Sequence, residues 1–230
     1  MANIYGRSDS ERKLLDLYSN RFQGIGDIGR FEAQIQRELL DGPKGTFGRF
    51  RMWRLKKQYK ELEEKRDDPY QAGAKGEIQV LDRLSKLSDD YHVLCGVQIT
   101  LPHHISYNGK KNLKSAQIDF VVVSKKGVYI IEVKNWSDSY VKRQDYFSPH
   151  EQAGRAGRLL WHVLKSWRKA PKVTSIVLSI KGNIKKDPKY KVVLVSDIQD
   201  INRILEERKH VLSEKEVKRY VKKIKDHVTK

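Results

Sequence analysis

The sequence of 230 residues holds a single cysteine, Cys95. That excludes a disulfide framework within the chain and a zinc site built from several cysteines. No run comes near the roughly 18 consecutive apolar residues that a membrane-spanning helix needs. The opening MANIYGRSDSERK has no apolar stretch of the kind a signal peptide carries, so the expected address is cytoplasmic. No Gly-x-x-x-x-Gly-Lys-Ser/Thr loop occurs, which leaves nucleotide hydrolysis on such a loop without support. Histidines do not replace the absent cysteines. His103 and His104 are adjacent and diverge on an extended backbone, and with His92 and Cys95 they match no metal-ligand spacing. They read as loop residues. His162, near the apolar stripe of a helix, reads as structural, and His150 as a tempting but unsupported general base.

Acidic residues are outnumbered: 29 Asp and Glu against 47 Lys and Arg, a formal charge of +18. Such an excess favours a polyanionic partner, because each phosphate neutralised releases condensed counterions. Nucleic acid is the leading expectation, although an acidic protein or an anionic surface would feel the same field. With 38% hydrophobic and 33% charged residues, the chain is polar yet long enough for one substantial domain and an accessory segment.

Three regions follow from texture: a basic helical stretch over 1–70, an α/β domain over 71–200 and a basic helical extension over 201–230. Ser8 and Glu11 have capping-box spacing ahead of Leu14, Leu15 and Tyr18. Ile28, Phe31, Ile35 and Leu39 recur at helical spacing until Gly42 and Pro43. A third helix from about Phe47 aligns Met52, Leu55, Tyr59 and Leu62. Its other sides carry Arg49, Arg51, Arg54, Lys56, Lys57 and Lys60. They read either as the solvated face of a packing helix or as a surface tracking phosphates, with Trp53 available for stacking.

After Asp67, Asp68 and Pro69 the pattern changes. A helix is expected from Ala74 to Leu87, a strand from Tyr91 to Ile99 and a polar loop from Pro102 to Lys114. QIDFVVVS and VYIIEVKN, joined by a short Gly-containing turn, form a hairpin, buried on both faces because its apolar runs are nearly continuous. Pro149 and Glu151 open a helix through Leu159, Leu160, Val163, Leu164 and Trp167. Strands follow at Val173–Ile180 and Lys191–Ser196, then a helix announced by Ser213 and Glu216. The order predicts an α/β core with a mixed central sheet flanked by helices.

A buried hairpin should carry no charge unless that charge is paired or used. This one carries Asp119, Glu132 and Lys134. The period of two puts Glu132 and Lys134 on one face, and antiparallel pairing brings Asp119 near Glu132, directly opposite or one place off if Gly127 forms a bulge. Burying three ions costs several kcal/mol each after relaxation, so a merely self-satisfying network is the weaker reading. A hard divalent cation held by one or two carboxylates explains the arrangement better.

These residues resemble the core of the PD-(D/E)xK nuclease superfamily, and more specifically its NERD (nuclease-related domain) branch. The resemblance rests on Gly73, Lys75-Gly76-Glu77, Ile118-Asp119-Phe120-Val121-Val122 and Gly127 to Asn135 with Glu132-Val133-Lys134. Pro149 and Gln152 also fit. It spans residues 71–180 and departs from the superfamily's name in having Ile118 where a proline stands. It implies a restriction-endonuclease-like core, Asp119 and Glu132 as main ligands of Mg²⁺ (or Mn²⁺), and Lys134 as catalytic lysine. It also implies Glu77 as an additional carboxylate and Gln152 as a contact to substrate or water. Alternatives are an exposed helix glutamate for Glu77 and a simple helix-start residue for Gln152. Arg155 and Arg158, with Gly154 and Gly157, let a helix start meet phosphate or a close neighbour pack.

Three functions compete. The first is a metal-dependent nuclease, with DNA as the expected substrate. The second is a nucleic-acid-binding module with a relict site. The third is a protein-interaction or scaffolding role, with the basic N-terminal helices docking an acidic partner; the helical stripes at Met52–Leu62 and Val217–Val228 serve an oligomer as easily as the domain.

Overall fold

The computed structural model describes residues 1–18, 21–42, 45, 47–66, 69–141, 148–166 and 170–228. Pro43, Asp67, Asp68 and Trp167, singled out in the sequence, lie outside the described residues. The chain clusters into two compact units, Ser10–Lys75 and Met1–Asp9 with Gly76–Lys230.

In chain order the elements are β1 (Asn3–Tyr5), α1 (Asp9–Leu17), α2 (Ile25–Asp41), α3 (Gly48–Arg66), α4 (Pro69–Ser85), β2 (His92–Tyr107), β3 (Lys110–Ser124) and β4 (Gly127–Lys134). Then come α5 (Asp138–Val141), α6 (Pro149–Leu164), β5 (Val173–Ser179), β6 (Val193–Asp197), α7 (Ile201–Glu206) and α8 (Glu214–Lys225). The helical unit buries Leu14, Leu15, Tyr18, Ile28, Ile35, Leu62 and Ala74, with Leu55 and Tyr59 packed against them. Leu55, Tyr59 and Leu62 of the expected α3 stripe therefore face this unit's own core.

The other unit is a six-stranded mixed sheet in the order β1-β2-β3-β4-β5-β6. β3 runs antiparallel to both β2 and β4, while the pairs β1–β2, β4–β5 and β5–β6 are parallel. Val121, Val123, Val128, Ile130 and Val177 pack with α6 and α8 on one face. Phe120, Val122, Tyr129, Ile131 and Ile176 pack with α4 and α7 on the other. Both faces are covered, as the continuous apolar runs of β3 and β4 require.

Two expectations are corrected. Residues 102–114 are not a loop: β2 and β3 continue as a long hairpin closed by Asn108 and Gly109, at φ 49° and 78°. Asn-Gly supplies the left-handed pair that a tight hairpin turn needs, and this signal outweighs Pro102 and the two histidines. Residues 201–230 are not a free extension either. Val217, Tyr220, Val221 and Ile224 of α8 are buried in the sheet's core. The capping box at Ser213 and Glu216 forms as its spacing implies. At the other end, Met1–Asp9 clusters with the sheet because β1 adds a parallel edge strand to it. No described helix is long and apolar enough to cross a membrane.

Candidate active site

β3 and β4 pair regularly from Ser124↔Gly127 to Phe120↔Ile131. The turn adds no bulge, so one further step in the same register sets Asp119 directly opposite Glu132. There the ladder stops. β4 keeps pairing with β5 as far as Lys134↔Ser179, whereas β3 stays with β2. The strands part at the charged residues.

The parting has a backbone cause. Leu94, Val97, Ile118 and Val121 all belong to one core cluster, although an unbroken period of two would send Val97 and Ile118 to the other face. Both strands change face at Gly96 and Asp119, which show no pair between Cys95↔Phe120 and Val97↔Ile118. Gly96 sits at φ +59°, and a Cβ on it would lie 2.6 Å from the Arg7 carbonyl oxygen. Gly6, at φ +79°, would place a Cβ 2.8 Å from the Cys95 carbonyl oxygen. This close crossing lets the segment after β1 reach the same corner of the sheet.

Asp119 is half-buried, and its Oδ2 accepts from the Val133 N–H at 2.7 Å. Burial, and then the Glu132 carboxylate beside it, pushes its pKa up to about 8. Glu132 is 2% exposed, and burial likewise raises its pKa although Lys134 opposes the shift. Its Oε1 accepts from Lys134 Nζ at 2.6 Å. Its Oε2 is buried without a hydrogen-bond partner. Lys134 Nζ also donates to Gln152 Oε1 at 3.0 Å, bringing the first turn of α6 into the site. That helix begins at Pro149 because Ser148 caps it, accepting from the Glu151 N–H.

Glu77 is not an exposed helix glutamate. It is 4% exposed on α4, its charge bears on Glu132, and its Oε2 accepts from Ser8 Oγ at 2.5 Å. The close approach of α4 depends on Gly76, where a Cβ would sit 3.0 Å from that of Asn135. Ser8 and Asp9 escaped the sequence reading. Both are buried, and Asp9 adds its charge to those disfavouring ionisation of Asp119. The only local signal at Ser8 concerned a helix cap; its partner lies 69 residues away.

The other candidates divide. Arg155 is engaged, donating to Asn112 Oδ1 at 3.3 Å and to its carbonyl oxygen at 3.4 Å, while Arg158 lies over the Trp161 ring. Gly154 and Gly157 face Tyr107 and Ser175 at distances that leave no room for a Cβ, so they serve close packing. Arg51 pairs with Glu38 at 2.6 Å, and Arg49, Arg54, Lys56 and Lys57 are exposed on α3. His150 is buried and accepts from the Asp187 N–H at 3.3 Å, a structural role.

Among the described residues, no three Asp, Glu, His or Cys side chains stand ready to hold a metal. The oxygen-only donor set of Asp119 and Glu132, with an orphaned carboxylate oxygen, fits a hard cation that completes its shell with water and substrate phosphate. It does not fit a closed zinc cage.

A mixed sheet flanked by helices, with two carboxylates and a lysine where its central strands part, defines a nuclease-like core. Residues 72–180, 109 of the 230, match the model of NERD, the nuclease-related domain. The matched stretch contains Glu77, Asp119, Glu132, Lys134 and Gln152, whereas Ser8 and Asp9 lie outside it. No curated protein and no solved structure matches the chain.

Proposed function

We propose that the protein is a metal-dependent nuclease that hydrolyses phosphodiester bonds, with DNA as its substrate. The observation that carries this reading is Glu132, a buried carboxylate with one oxygen on Lys134 and the other unpartnered, opposite Asp119. Apolar residues would fill this position at less cost to folding, so the charges are retained for use. The matched nuclease-related stretch and the charge of +18 support the same conclusion.

Asp119 and Glu132 would hold Mg²⁺ or Mn²⁺, with Glu77 contributing to the site directly or through water. A bound divalent cation neutralises charge on the phosphate and lowers the pKa of a water. Lys134 is held between Glu132 and Gln152, so its ammonium keeps one position without reorganising as negative charge builds on the phosphate. Gln152 fixes that ammonium by accepting from it at 3.0 Å. The hydrolysis adds water across the P–O bond: the attacking oxygen joins phosphorus, and the leaving oxygen departs with a proton.

The test is cleavage of labelled single- and double-stranded DNA with Mg²⁺, Mn²⁺ or EDTA, alongside Glu132→Ala. Metal-dependent cutting lost in the variant is expected. A second reading, binding without cleavage, draws on the short Glu132–Lys134 pair, which neutralises itself. Tight, steeply salt-dependent binding without turnover in any metal would establish that reading instead.

A further inference from the structure

α3 presents an apolar surface that its own packing does not explain. Phe50 is 64% exposed and Trp53 60%, and Phe47 just ahead of the helix is 81% exposed. At about 100° per residue, Phe50, Trp53 and Lys57 lie within roughly 60° of one another, on the side away from Leu55, Tyr59 and Leu62. That opposite stripe is the one packed into the helical unit, so the aromatic side has no core to serve. The two rings are stacked, with centroids 5.9 Å apart and planes inclined by 29°.

Cations surround them. Arg49, Arg54, Lys56 and Lys57 are exposed and make no ion pair among the described residues, in contrast to Arg51 on Glu38. Flat rings interleaved with unpaired cations are what a single strand demands: every base has a π-face, and every linkage carries a charge. A duplex offers no such faces, since its bases are already stacked. A lipid surface would need a broad aliphatic face, and the aliphatic residues of α3 are turned inward.

We propose that the Phe50–Trp53 face of α3 is a binding platform for single-stranded nucleic acid, with bases stacking on the rings and Arg54 and Lys57 contacting the backbone. The platform lies wholly within the Ser10–Lys75 unit and outside the nuclease-related stretch. It stands whether or not the chain cleaves its ligand.

The experiment is fluorescence anisotropy of the full chain with a labelled oligothymidylate of about 16 nucleotides, in EDTA so that cleavage cannot interfere. Phe50→Ala with Trp53→Ala should weaken single-strand binding about tenfold or more, leaving duplex binding and the salt slope nearly unchanged. Arg54→Ala and Lys57→Ala should each make the salt slope shallower by about 0.7. Phe50→Leu with Trp53→Leu keeps apolar bulk and helix propensity but removes the π-faces, so it should lose affinity like the alanine pair. Wild-type affinity in both aromatic variants would overturn the proposal, as would equal loss for single strands and duplex. So would binding to anionic phospholipid vesicles in place of the oligonucleotide, or a solution mass that halves in the aromatic variants and marks the face as a dimer contact.

Discussion

The two units break the same rule in opposite directions. The sheet unit buries charge: Glu77 and Glu132 are 4% and 2% exposed, and Lys134 is largely covered. The helical unit exposes aromatic rings on a helix whose opposite stripe is already packed. Buried charge is tolerable only when paired or used, and exposed rings usually mark a surface awaiting a partner. Under the proposed function and the proposed platform, the comparison separates chemistry, which needs a dry and preorganised corner, from capture, which needs an accessible face. On α3 basic residues outnumber acidic ones by eight to three, while the corner itself holds Glu77, Asp119 and Glu132.

The largest effect should come from breaking the buried pair. Lys134→Ala leaves Glu132 buried without its counter-ion, and should abolish cleavage while lowering stability by about 3–5 kcal/mol in urea unfolding. Combining Glu132→Gln with Lys134→Met removes both charges and should restore most of that stability without activity. A double variant as unstable as the single one would make the pair a folding element and remove the contrast between the units. The pH response follows from the same burial. The Asp119 pKa lies near 8 in the folded protein against an ordinary 3.8, so between those values the unfolded chain has released a proton that the native state retains. Stability measured in EDTA should therefore fall as pH rises from about 4 to 8 and level off above. Mg²⁺ favours the ionised carboxylates, so its addition should raise Tm more at pH 8 than at pH 5.

A smaller effect is expected at Ser8. Removing its hydroxyl takes a buried hydrogen bond from Glu77, which costs about 1–3 kcal/mol. Cleavage should fall about tenfold to a hundredfold, chiefly in kcat, because the affected group orients another and does not hold DNA. A pure rise in KM would remove Ser8 from the catalytic corner. This residue also marks where the sequence stops being legible. Glu132 and Lys134 could be placed because a strand's period of two is local, and Asp119 because a short turn fixes the register. Ser8 is delivered by parallel pairing of β1, three residues long, with a strand beginning at His92, and no local pattern encodes that pairing. The arm beyond Thr100 is obscured for another reason: Asn108-Gly109 is a hairpin signal, but Pro102 and the polar run around it have the composition of a loop.

The smallest expected effect is the one that tests the helical unit. Phe50→Ala with Trp53→Ala should change the free energy of unfolding by less than about 1 kcal/mol, because exposed rings contribute little to a fold. Loss of their mutual stacking is partly offset by the better helix propensity of alanine. Ile35→Ala in the same unit, removing a side chain that is 2% exposed, should cost about 2–5 kcal/mol. Urea unfolding of the two variants side by side would show whether the aromatic face is held for binding or for stability. A cost for the aromatic pair as large as that of Ile35→Ala would mean the rings are buried in solution against something, and the division between a chemical corner and a capturing face would collapse.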